Sequence, residues 1–265
     1  MYYYCCGITD KGIMKHNEDA FLIGGKVMTS GNINNMVSAP FIVAVSDGVS
    51  GENCGELASR KCLELLSGVK FNSGTDLNQE IMNIHKHLAG IGTQKTSTKN
   101  MQATLCAAAI DEKDIVHIIN VGDSRMYRYR NGSIRQISKD QSLVQLLYEE
   151  GTITESEKKT HVHKNIIFPV MGNVSSDPKP DIKSLNEIMK YGDVILICSD
   201  GLSDYVSRAE MEDILALPEN LTKRLQKLVN LAIDNGSQDN ITIVALCCYC
   251  LLYTSPSPRD RSLSR

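Results

Sequence analysis

What the 265-residue sequence lacks narrows its function before any motif is read. No window approaches the roughly 18 uninterrupted apolar residues of a membrane-spanning helix. The opening MYYYCCGITDKG has neither the basic leader nor the long apolar core of a secretion signal. These absences predict a soluble, cytoplasmic protein with no membrane partner. There is no basic block either: 28 Lys and Arg stand against 31 Asp and Glu, a net charge of −3. That balance argues against nucleic acid or an anionic surface as partner, so any phosphate ligand must be held by local groups. The nine cysteines are an odd number scattered through apolar runs, as at Cys62, Cys106 and Cys198, which fits reduced core thiols better than a disulfide framework. Cys247 and Cys250 have CxxC spacing but no second pair to complete a zinc site, and read as structural.

What is present is length and alternation enough for one large domain, with 42% hydrophobic residues to fill its core. Short strand-like runs dominate, at residues 2–8, 20–23, 41–46, 103–110, 115–121, 126–130, 133–137, 194–198 and 241–248. Asn131-Gly132 between two of them is a strong hairpin signal, and IDEKDIV is a second tight reversal, so the sheets are expected to be largely antiparallel. Helical stripes occur in pairs. Ala58, Cys62, Leu65, Leu66 and Val69 form one, and Ile81, Ile84, Leu88 and Ile91 the next. Later, Ser207 and Glu210 make a capping box before RAEMEDILAL, and a further helix runs to Asn235-Gly236. The predicted fold is α+β, an α-β-β-α sandwich of two largely antiparallel sheets flanked by helix pairs, filling residues 1–250 as one domain. Residues 139–185 read as an irregular, flap-like insertion with a short amphipathic piece at 143–147. Residues 251–265, rich in Ser, Pro and Arg, read as a disordered tail or a cloning or sequencing scar.

Acids recur at strand mouths, where Asp is normally disfavoured. FIVAVSDG ends on Asp47 and VILICSDG on Asp200; Asp123 ends VHIINVGD, Asp239 precedes the last strand, and Glu18-Asp19 precede an early one. A lone Ser-Asp-Gly is ordinarily a turn. Together, at one edge of a sandwich, such carboxylates repel unless a cation lies among them. With oxygen donors only, and no His or Cys at matching strand ends, the ion expected is Mg²⁺ or Mn²⁺. The glycines that follow Asp47 and Asp200, lacking a Cβ, let a backbone carbonyl come close to such an ion. Four or five carboxylates suffice for two ions, an arrangement that activates water for phosphoester hydrolysis.

In order, NEDA, VSDGVSG, VGDSRMY, CSDGLSD and SQDNITIV resemble the metal-dependent serine/threonine protein phosphatases of the protein phosphatase 2C (PPM) family, bacterial type, across residues 7–248. The resemblance implies an α-β-β-α sandwich with a binuclear Mg²⁺/Mn²⁺ centre that hydrolyses phosphoserine and phosphothreonine in proteins without a phosphoenzyme. It implies Asp47 bridging both ions with the Gly48 carbonyl beside it, Asp200 and Asp239 completing one ion, and Glu18 and Asp19 supporting the other. Asp123 and Asp204 match a third, weaker site. Asp47, Asp200 and Asp239 would thus carry catalysis.

Two departures bear on mechanism. Where the family carries an Arg that grips the phosphate, GIMKHNED is one residue shorter and offers Lys15, a point charge without the bidentate fork. Where some relatives have a His after Asp-Gly, this chain has Val49, leaving the general acid unassigned. His161 and His163 can share a face only if extended, and His85 and His87, two apart on a helix, cannot. The partners implied are phosphoprotein substrates and a Ser/Thr protein kinase acting on them, with the enzyme a monomer. The alternative is a catalytically weak or silent relative that binds phosphoproteins or a kinase. Retention of all the principal acids weighs against it.

Overall fold

Residues 1–49, 54–94 and 98–249 are described by a computed structural model. Cys250 of the CxxC pair and the expected tail at 251–265 lie outside the described residues.

Two six-stranded sheets form the centre. The first orders β4 (Gly31–Ser38), β1 (Tyr2–Asp10), β12 (Ile241–Tyr249), β11 (Val194–Cys198), β8 (Arg125–Arg130) and β9 (Ser133–Gln136). The second orders β10 (Asp181–Ser184), β7 (Val116–Val121), β6 (Leu105–Ile110), β5 (Phe41–Asp47), β2 (Asp19–Ile23) and β3 (Lys26–Met28). All the described pairings within them are antiparallel.

The central strands read as unbroken apolar runs because both faces are buried. In β11, Ile195 and Ile197 point between the sheets while Val194, Leu196 and Cys198 face the outer helices. In β5, Phe41, Val43 and Val45 point inward and Ile42 and Ala44 outward. Helices α1 (Gly55–Ser67) and α2 (Leu77–Gln94) cover one outer face through Ala58, Cys62, Leu66, Ile81 and Leu88. Helices α6 (Arg208–Ala216) and α7 (Leu221–Asp234) cover the other through Met211, Leu215, Leu225 and Leu228. Each such Leu or Ile, once buried, contributes about 1.5–3 kcal/mol of transfer free energy. The layer order is therefore the expected α-β-β-α, and Cys5, Cys6, Cys62, Cys106, Cys198 and Cys247 are free thiols.

The Asn131-Gly132 turn has both residues at positive φ, and the Ser207–Glu210 capping box is present. Differences from the sequence reading cluster where pattern is weak. The 139–185 insertion holds more order than expected: α3 (Leu143–Glu149), a second helix α4 (Glu155–Thr160), and β10, which extends the second sheet by pairing with β7. The six residues of α4, ESEKKT, have no apolar stripe to betray them; a Thr154–Glu157 capping box starts the helix. Strands β3 and β4 are similarly exposed edge strands whose order comes from their neighbours β2 and β1.

Candidate functional site

Every acid singled out above sits where strands meet loops at one edge of the sandwich. Asp47 ends β5 and Asp19 begins β2; the two lie opposite each other in the ladder. The other sheet delivers Asp200, the first residue of α5 (Asp200–Ser203) just beyond β11, and Asp239, two residues before β12. Asp123 lies between β7 and β8, and Asp204 closes α5.

The serines that precede two of these acids lock the strand ends together. Ser46 Oγ donates to the Thr104 carbonyl at 2.6 Å, while Thr104 N–H donates to the Asp47 carbonyl at 2.8 Å. The Asp47 N–H in turn donates to Thr104 Oγ1 at 3.0 Å. Ser199 Oγ donates to Asp19 Oδ2 at 2.8 Å and accepts from Thr242 N–H at 3.0 Å. Both serines are fully buried; the Ser46 bond ties the end of β5 to the approach to β6 within one sheet, and the Ser199 bond to Asp19 joins the two sheets.

Glycine is required at two of these corners by close approach. A Cβ on Gly48 would collide with the backbone of Gly55, and one on Gly201 with the carbonyl oxygen of Asn240. Glu18 is held in the same contact: its carbonyl accepts from Gly48 N–H at 3.1 Å, and its Oε2 would lie 2.9 Å from a Cβ on Gly55.

Asn240 was missed in the sequence, where Asp-Asn before a strand is ordinary loop chemistry. Its Oδ1 accepts from Glu18 N–H at 2.8 Å, and its Nδ2 donates to the carbonyls of Lys11 and His16, each at 3.0 Å. One side chain thus fastens the loop that carries Lys15 beside Asp239. Lys15 itself is exposed.

The electrostatics are those of acids forced together. Burial pushes the Asp47 carboxyl well up, and repulsion from Asp19, Asp200, Asp239 and Asp123 adds to it. Burial does the same at Asp200, with Asp123, Asp239, Asp204 and Asp19 adding. Asp19 is pushed up to about 6 by burial, although hydrogen bonds from Thr242 and Ser199 oppose the rise. Asp123 reaches about 7 through burial and the nearby Asp140 charge. Asp239 is raised by burial as well.

A hard divalent cation fits this donor set. All the donors are oxygens, and one oxygen each of Asp123 and Asp200 is buried without a hydrogen-bond partner, the arrangement that a cation relieves. Among the described residues no three His, Cys, Asp or Glu side chains are gathered closely enough to hold an ion as they stand. A bound cation would have to draw the mutually repelling carboxylates inward.

Cationic side chains already serve the acids expected at a third site. Lys164 Nζ lies 3.3 Å from Asp204 Oδ2, and Arg125 Nη2 lies 3.9 Å from Asp204 Oδ1. Arg125 is committed elsewhere, forking onto Asp140 at 2.9 and 2.8 Å. A cavity of about 500 Å³ opens beside these groups, between α5 and the α3–α4 segment. The rings of His161 and His163 do share a face, with centroids 5.6 Å apart, whereas His85 is buried under residues 172–177.

In comparison with known proteins, residues 16–238 match the family model described as Protein phosphatase 2C. The serine/threonine phosphatase stp of Listeria welshimeri is 32% identical over 246 residues, 89% of this chain and 92% of that protein. The solved structure of serine/threonine phosphatase Stp1 from Staphylococcus aureus superposes with a TM-score of 0.77 at 30% identity, covering 93% of this chain and 95% of the other. The catalytic domain of the serine/threonine protein phosphatase PstP, in complex with two manganese ions, gives a TM-score of 0.74 at 26% identity, covering 93% and 99%.

Proposed function

The chain belongs to the protein phosphatase 2C family, and from that premise we propose that it removes phosphate from phosphoserine and phosphothreonine in proteins at two Mg²⁺ or Mn²⁺ ions held by the strand-end acids. The observation that carries this reading is the meeting of Asp19, Asp47, Asp123, Asp200 and Asp239 at one sheet edge, with buried carboxyl oxygens left unpartnered. Two manganese ions in the complex of the similar PstP domain support the choice of ion.

Asp47 with the Gly48 carbonyl, Asp200 and Asp239, and Glu18 and Asp19 would hold the two ions. Asp123 and Asp204 would form a weaker third site, in competition with the Lys164 ammonium. When bound, the ions supply charge that neutralises the phosphoryl oxygens and lowers the pKa of water. The protein's own contribution is position. The Ser46–Thr104 and Ser199–Asp19 bonds fix the carboxyl origins, and Asn240 holds the Lys15 loop where its ammonium contacts the substrate phosphate. A water oxygen bonds to phosphorus as the seryl or threonyl oxygen leaves and takes a proton; no side chain carries the phosphoryl group in between. Val49, with no proton to give, supplies none to the leaving oxygen. The substrates are phosphoproteins made by a Ser/Thr protein kinase. We place the enzyme in the cytoplasm as a monomer, a setting in which the free thiols stay reduced.

The test is hydrolysis of p-nitrophenyl phosphate and a phosphothreonine peptide with Mn²⁺ or EDTA, beside Asp47→Ala and Asp200→Ala. Mn²⁺-dependent turnover that falls at least ~100-fold in either variant is the expected result. Turnover indifferent to both substitutions would overturn the site.

A further inference from the structure

The cavity beside the acid cluster has one wall from α5 and its flanks, which includes Asp200, Ser203 and Asp204. The α3–α4 segment supplies the opposite wall, including Gln145, Tyr148 and Lys158. Its volume of about 500 Å³ accommodates more than a phosphoryl group, so part of it faces whatever flanks that group.

Among the described residues five cationic side chains line it, and four are spoken for by carboxylates. Arg125 forks onto Asp140, Lys139 pairs with Glu149 at 2.8 Å, Lys164 with Asp204 at 3.3 Å and Arg208 with Glu155 at 3.5 Å. Lys158 is the exception: among the described residues no carboxylate lies within ion-pair distance of it. Its Nζ donates to Gln145 Oε1 at 2.6 Å and stands 5.0 Å from the centre of the Tyr148 ring. Neither partner carries the opposite charge, and the side chain is only half-exposed. Burial lowers its pKa from the ordinary lysine value, against the pull of Asp140 and in concert with Arg125. An ammonium partly removed from water, with donors left over and an aromatic face beneath, is a site for an anion.

We propose that Lys158 selects substrates carrying an anionic side chain, carboxylate or phosphate, on a residue neighbouring the phosphoserine or phosphothreonine. The inference rests on the phosphatase reading of the acid cluster. The phosphoresidue engages the acid end of the cavity, and the flanking anion reaches across to Lys158, with Gln145 and Tyr148 holding the ammonium in place. Lys158 acts on ground-state binding of the substrate, so its effect belongs to KM.

The experiment uses the full chain with Mn²⁺ and a panel of phosphothreonine peptides. The panel places Glu, phosphoserine, Gln or Lys at each of the three positions on either side of the phosphoresidue. Lys158→Gln, Lys158→Glu and Lys158→Arg are measured alongside. The expected result is a preference of about tenfold in kcat/KM for an anion over Gln at one or two positions, expressed in KM. It should collapse in Lys158→Gln, turn toward Lys-flanked peptides in Lys158→Glu, and survive in Lys158→Arg. Glu-containing and doubly phosphorylated peptides distinguish the two anion sources. Wild-type turnover of p-nitrophenyl phosphate with no flank preference, or a preference unchanged in Lys158→Gln and Lys158→Glu, overturns the role of Lys158 alone. Absence of Mn²⁺-dependent turnover even on p-nitrophenyl phosphate overturns the phosphatase reading, and the inference with it.

Discussion

At Gly201 less than the space of a methyl group separates the backbone after Asp200 from the segment that presents Asp239, because a Cβ there would strike the Asn240 carbonyl oxygen. Gly201→Ala should destabilise the protein by about 1–3 kcal/mol and weaken Mn²⁺ binding, as the clash pushes Asp200 and Asn240 apart. Gly90, exposed in the middle of α2 with nothing within 4 Å of a Cβ, is the contrast. Gly90→Ala should gain about 0.5–1 kcal/mol by reducing backbone freedom in the unfolded chain. Urea unfolding of the two variants checks both signs, and equal effects would remove the close approach from the account. At this scale the carboxylates were legible, because a strand that ends on Asp contradicts strand propensity. Asn240, Lys158 and Lys164 were not, since an amide or ammonium on a loop or a short polar helix looks the same whether it binds three backbone groups, an anion or water.

Among the elements, α1, α2, α6 and α7 were readable because each buries one face against a sheet and so shows a helical stripe. The flap-side helix α4 and the edge strands β3, β4 and β10 bury little and show no such stripe. The segment between α4 and β10 is tied to the core at His85. Gly172 N–H donates to His85 Nδ1 at 3.1 Å, while Asp177 Oδ1 lies 3.4 Å from Nε2. Burial holds the imidazole below the usual histidine value of 6.5, although Asp177 pulls the other way. A histidine whose folded pKa is lowered stabilises above about pH 6.5 and loses that contribution as pH falls toward the folded value. Protonation also removes the acceptor that Gly172 uses. Hydrogen exchange at the Gly172 amide, corrected for its intrinsic rate, should therefore lose protection between pH 7.5 and 5.5. In His85→Gln the protection should be independent of pH; an unchanged pH dependence there would place the titrating group elsewhere.

For the molecule as a whole, the acid cluster sets the dependence on metal and pH together. Asp19 and Asp123, pushed up to about 6 and about 7, bind protons in the folded state that the unfolded chain releases near pH 4. With no cation present, stability therefore falls as pH rises from about 4 through 7. Asp193 and Asp111 have the opposite shift, lowered despite burial by Arg130 and by the Ile115 N–H respectively, and matter only in stronger acid. In EDTA the melting temperature should drop by at least ~5 °C between pH 5 and 8, and millimolar Mn²⁺ should abolish that drop. An EDTA melting curve flat across this range would mean that the carboxylates are not mutually strained. By itself the sequence determined the layered α+β architecture and the acid set, because unbroken apolar strands, striped helices and Asp-Gly strand ends are local patterns with one efficient burial. Only the tertiary structure decided that Ser46 ties β5 to its neighbour while Ser199 joins the two sheets, that Asn240 pins the Lys15 loop, and that Lys158 faces the cavity with no ion-pair partner among the described residues. Those facts depend on which loops meet across the sheet edge, and no spacing within the chain encodes such a meeting.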